Sequence, residues 1–215
     1  MTNTCKIVQG HIHSPFFIFM RTGGQMRDEE LLKLLGLDDF STATSEIGQL
    51  QPHLFITQDE HWTHLADDWC YSLWCKGGYQ LVQKLHEQIP DIPIFACSVG
   101  EADWAFDFAY YDSGKLLRRY VVEDTGYSIK TRRVVEDFGT PLPKETPLSG
   151  VGNDDQVYVL GLASGLGVNL IHDSNRIRCY AMSNWKEKEP CASSEGSSTG
   201  FAFSMLRAWR KFMGP

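Results

Sequence analysis

An α+β fold, with an antiparallel sheet packed against helices, is predicted by three features of this 215-residue sequence. Residues 103–111 alternate strictly, with Trp104, Phe106, Phe108 and Tyr110 on one side and Asp103, Ala105, Asp107 and Ala109 on the other. Period two with aromatics on one side is the mark of a strand with one buried face. Asp112-Ser113-Gly114 then supplies a turn and residues 116–123 return. With the apolar run Ile94–Val99 leading in, residues 94–123 or so read as an aromatic hairpin. Elsewhere the spacing is helical, as at Leu81, Val82, Leu85 and Ile89 before Pro90.

Taken in order, residues 4–9 and 16–20 suit two strands around a turn at His11–Pro15. Asp28 is placed to cap a short helix through Leu35, whose leucines at 31, 32, 34 and 35 give an apolar face and which Gly36 stops. Residues 54–57 suit a strand. The pattern from Asp67 to Ile89 is helical, interrupted near Gly77-Gly78. Beyond the hairpin, Phe138-Gly139-Thr140-Pro141-Leu142-Pro143 reads as a stiff connection, because proline fixes φ and donates no hydrogen bond. Asp154 or Asp155 then caps a helix from Gln156 to about Leu166, with Gly167 as its left-handed stop.

Pairing chemistry favours one hairpin register. A three-residue loop with Gly114 left-handed sets Tyr110 opposite Leu116, Phe106 opposite Tyr120, Trp104 opposite Val122 and Asp107 opposite Arg119. A two-residue loop sets Phe108 against Arg119 and Asp107 against Tyr120, a poorer match. The longer loop and the Asp107–Arg119 ion pair are therefore expected.

Residues 1–185 are expected to form one domain, 186–200 a Glu/Ser/Gly-rich linker, and 201–215 a terminal amphipathic helix. Apolar residues make up 42% and charged residues 22%, enough for a real core. A net charge of −7 disfavours general nucleic-acid binding. The amino terminus has no apolar run of export type, and the weakly polar stretch 157–171 is too short to cross a bilayer. Six scattered cysteines are too sparse for a disulfide scaffold and suit free thiols in a cytoplasmic, reducing location.

Each candidate for chemistry has a plainer explanation beside it. His11-Ile12-His13 is similar to the first-strand histidine pair of amidohydrolase-type and PHP-type metal enzymes, a resemblance that implies a metal-dependent hydrolase. His61 and His64, with Cys70 and Cys75, are residue types that suit zinc, but the cysteine spacing is looser than structural sites use. Cys97 ends an apolar strand without a nucleophile-elbow pattern. Asp103 and Asp107 share a face but stand roughly 13 Å apart at the usual strand rise, so the acidic run Glu101, Asp103, Asp107 and Asp112 reads as a solvated face. No phosphate-loop pattern surrounds Gly161, Gly165 and Gly167. On the last helix Trp209 lies among Arg207, Arg210 and Lys211, a set suited either to packing in cis or to holding a partner. No catalytic set emerges and no cofactor is expected.

Residues 94–170 as a whole, from Ile94–Val99 through the hairpin with Arg118-Arg119, the 138–145 segment and Leu166-Gly167-Val168-Asn169, resemble small uncharacterised bacterial proteins of the toxin-immunity type. The resemblance implies a cytoplasmic protein without catalytic activity that binds another protein. An acidic chain would suit a basic partner. Metal-dependent hydrolysis and small-ligand binding are the alternatives; for the latter a deep apolar pocket beside the sheet is expected.

Overall fold

The structure is a computed structural model that describes residues 16–43, 53–67, 73, 77–99, 105–124, 129–151, 154–170 and 176–183. Its strands are β1 (Phe16–Met20), β2 (Phe40–Thr42), β3 (His53–Gln58), β4 (Thr63–Asp67), β5 (Ile94–Val99), β6 (Phe106–Asp112), β7 (Lys115–Asp124), β8 (Arg132–Gly139) and β9 (Arg178–Met182). The helices are α1 (Asp28–Leu34), α2 (Tyr79–Gln88) and α3 (Asp155–Gly165). All nine strands join one antiparallel sheet in the order β2-β9-β3-β4-β1-β5-β6-β7-β8. The α+β class with an antiparallel sheet therefore holds.

Both faces of the sheet centre are covered, which explains why β1 and β5 are buried at every residue. On one face Phe16, Ile18, Met20, Ala96 and Tyr111 pack with Leu31 and Leu35 of the first helical segment and Leu81, Val82 and Leu85 of α2. On the other, Phe17, Phe19, Phe95, Phe106 and Phe108 pack with Val159, Leu162 and Ala163 of α3. Phe106 meets Tyr158 edge-on at 5.5 Å between ring centres. A central strand with no wet face is continuously apolar rather than alternating.

Three local expectations are corrected. Asp28 does not cap α1: Arg27 occupies that position, and the Asp28 carboxylate instead binds Arg178 and the Tyr180 hydroxyl, tying α1 to β9. Residues 63–67, up to the expected helical start at Asp67, form β4, buried at every position. The hairpin turns through two residues, Ser113 and Gly114, both at positive φ (49° and 74°). That is the primed geometry whose twist matches the flanking strands.

The register correction follows from the turn. Asp112 pairs with Lys115 and Tyr111 with Leu116, then the ladder slips by one residue so that Tyr110 opposes Arg118, Phe108 opposes Tyr120 and Phe106 opposes Val122. Leu117 is the extra residue, 41% exposed. A bulge thus avoids the poor Phe108–Arg119 match that argued against a short loop. Arg119 faces Ala109, and the carboxylate it pairs with is Glu136 rather than the expected Asp107. Gly114 is left-handed as expected, and Gly36 (φ 65°) and Gly167 (φ 91°) act as helix stops. Asp154 caps α3 by accepting from the Val157 amide at 2.9 Å. Trp104, residues 4–9 and everything after 183 lie outside the described residues.

Candidate functional site

Beside the hairpin a buried polar cluster joins α2 to the sheet. Asp107 is 5% exposed, so the expectation of a solvated acidic face fails at this position. α2 covers that face, which brings the Tyr79 hydroxyl onto the Asp107 carboxylate, to which it donates. The Arg119 guanidinium lies 3.6 Å from the Tyr79 ring centre, and Phe16 meets the same ring edge-on at 5.3 Å. Arg119 also reaches Glu136 at 3.4 Å. Asp107 and Arg119 thus meet through Tyr79, a residue that carries no functional signal in the sequence.

Burial pushes the Asp107 carboxyl up to about 6, against the pull of Arg119 and of hydrogen bonds from Tyr79 and the Ser98 backbone. Burial likewise raises the Tyr79 hydroxyl well above 10 and the Cys97 thiol well above its ordinary range, so both stay protonated near neutrality. A carboxyl with a raised pKa binds its proton more tightly folded than unfolded. Its stabilising contribution is therefore complete below about pH 4 and is lost as the pH rises through 6. Asp107→Asn keeps an oxygen for Tyr79 and removes the titration. We expect wild type to lose roughly 2–3 kcal/mol relative to this variant between pH 4 and 7. Urea unfolding of both at several pH values measures it; parallel curves would place the titration elsewhere.

A second cluster lies on the opposite face, where Arg118 is 1% exposed. Its Nε donates to Glu145 at 3.0 Å, and its Nη1 to Asp137 at 2.6 Å and to the Phe138 carbonyl at 2.7 Å. Glu145 also accepts from the Leu142 amide at 2.8 Å. The residues expected to be a stiff connection are thus split: 138–139 end β8, and 140–145 are latched under the sheet by one guanidinium. Arg132 and Asp155 form a further buried pair at 2.6 Å.

The expected metal ligands do not converge in what is described. His61 is exposed on the β3–β4 turn, where Asp59 Oδ1 accepts from the His61 and Trp62 amides. His64 is buried in β4, edge-on to Phe19. No group of three or more metal-ligating side chains occurs among the described residues. His11, His13, Cys70 and Cys75 lie outside them, as do Arg207, Trp209, Arg210 and Lys211. Among the described residues, no helix is long and apolar enough to cross a membrane.

A cavity of about 190 Å³ lies beside the sheet, lined by Phe17, Phe19, Phe55, His64, Leu160 and Thr57 among others. The buried Thr57 Oγ1 has no hydrogen-bond partner among the described residues. The cavity is apolar, as small-ligand binding would require, but smaller than the roughly 300–1,000 Å³ of ordinary ligand pockets.

The two ends of the sheet differ. β2 is three residues long, a common way to blunt an edge. β8 is eight residues long and, after Arg132, exposed at every position on both faces. Val134, Val135 and Phe138 are 39%, 44% and 51% exposed, and Leu117 lies against the Gly139 end of the strand. The sequence hid this strand, because a bulge between Glu136 and Val134 leaves two valines adjacent and breaks the alternation.

Comparison with protein-family models, with curated proteins and with solved structures found no match to this chain. The class that the fold defines is an α+β protein whose described residues form a nine-stranded antiparallel sheet, with the long strand β8 at one end.

Proposed function

We propose that this chain is a non-catalytic recognition protein, of the immunity-like type its sequence resembles, which binds a second polypeptide by adding a strand to β8. One observation carries the reading: the long terminal strand of the sheet exposes apolar side chains on both faces, with one edge unpaired among the described residues. Unpaired backbone groups on a sheet edge supply affinity to an extended segment, and alternate side chains supply selectivity. Glu136 and Asp137, 49% and 62% exposed at their side chains, favour a basic segment beside them.

Site-specific photo-crosslinking in the native cell tests this. A benzophenone side chain at position 138 is expected to give one discrete protein adduct. The same probe at Val157, 67% exposed on α3, is expected to give none. Equal, diffuse labelling from both positions would remove β8 as the working surface.

A further inference from the structure

The β8 sequence RRVVEDFG is charge-palindromic over its first six residues: two cations, two valines, two anions. Laid antiparallel on itself, it sets Arg133 against Glu136 of a second copy and gathers Val134 and Val135 of both copies about the axis. We infer that the partner strand taken up by β8 is β8 of a second copy, in a two-fold dimer whose sheets run on as one. This rests on the reading of β8 as the working edge, and names its occupant.

The bulge makes the match geometrically possible. A two-fold axis normal to a sheet keeps every residue on its own face, so only residues on the same face can be opposed. In a regular strand residues 133 and 136, three apart, point to opposite faces. Here Val121 pairs with Glu136 and Val122 with Val134, so Val135 is the extra residue and the phase shifts by one. Arg133 and Glu136 consequently share a face, shown by their in-chain partners: Arg133 reaches Glu123 at 3.3 Å and Glu136 reaches Arg119 at 3.4 Å, residues four apart on one face of β7. Both side chains stay open to solvent at 64% and 49%. Arg132, only 4% exposed and paired with Asp155, takes no part. The basic segment that the acidic end of β8 favours is thus supplied by the chain itself.

One strand pair buries less surface than the roughly 1,200 Å² of stable complexes. The dimer is accordingly weak, with a Kd on the order of 10–100 µM, and weaker in salt because its ion pairs are exposed.

Sedimentation equilibrium on wild type, Arg133→Glu, Glu136→Arg and the double swap tests it. Each single swap sets like charges against each other twice across the axis and is expected to weaken dimerisation at least about tenfold. The double swap restores both pairs and is expected to recover the wild-type constant. In-chain effects cannot produce that recovery, because the double variant loses both the Glu123 and the Arg119 contacts. A wild type that is monomeric at about 0.2 mM, or a dimer indifferent to the single swaps, overturns the inference. If a heterologous adduct still forms from position 138, self-pairing alone has failed; if no adduct forms either, the recognition reading has failed with it.

Discussion

Gly139→Ala is expected to detach the end of β8 and to cost at least about 3 kcal/mol of stability. Gly139 has φ 88°, and a Cβ built there stands 1.9 Å from the Leu117 carbonyl oxygen and 3.2 Å from the Arg118 Cα. Two penalties act together. The left-handed conformation alone costs an alanine roughly 1–2 kcal/mol. The overlap is with backbone, so it can be relieved only by separating β8 from the Leu117 bulge. Gly36→Ala is the control: its φ is 65° with nothing within 4 Å, so only the conformational cost applies. Chemical denaturation of both variants gives the comparison. Equal losses would show that the ribbon yields easily and that the close approach at Leu117 is unimportant.

The second large effect is expected at Arg118. Arg118→Ala should cost about 3–5 kcal/mol, because it leaves the Glu145 carboxylate, 5% exposed, without its cation. Asp137, 62% exposed at its side chain, is rehydrated and adds little. Replacing Arg118 and Glu145 together by leucine should recover much of the loss, since an apolar pair removes the charge that would otherwise be stranded. Arg118→Lys should not, because an ammonium cannot reproduce two parallel bonds to Glu145 while also reaching Asp137 and the Phe138 carbonyl. Denaturation midpoints of the four proteins decide it. A double variant no more stable than Arg118→Ala would deny that the two groups act as a pair.

These two sites and the β8 edge meet in one region, the ribbon formed by β7 and β8. Gly139 lets the strands approach, Arg118 locks the following loop beneath them, and the outer edge has no partner strand among the described residues. Strengthening the ribbon from within while leaving its edge unpaired is what strand addition requires.

Some elements were legible because their signals are local. Strand β5, the hairpin turn glycine, an α3 cap at Asp154 or Asp155 and the stop at Gly167 each follow from a run, a spacing or a residue type confined to a few positions, and the structure places the cap at Asp154. The aromatic face of β6 was legible for the same reason. Strands β2, β4, β8 and β9 were not. β4 reads Thr-His-Leu-Ala-Asp and lies buried between β3 and β1, so neighbours rather than propensity decide it. β8 was hidden by its own bulge.

The candidate site divides along the same line. That Asp107 and Arg119 share a face was written in the period-two pattern, whereas the register that opposes Arg119 to Ala109 was not. Sequence alone marked the strand and helix stretches that carry strong periodicity and a turn ending in a left-handed Gly114, but not the length of that turn. Tertiary structure decided that Asp107 is buried under α2, that Arg118 holds the 140–145 loop, and that Arg133 and Glu136 share a face. The reason is physical: a bulge shifts every later side chain by one position, and burial depends on what another segment lays across the strand.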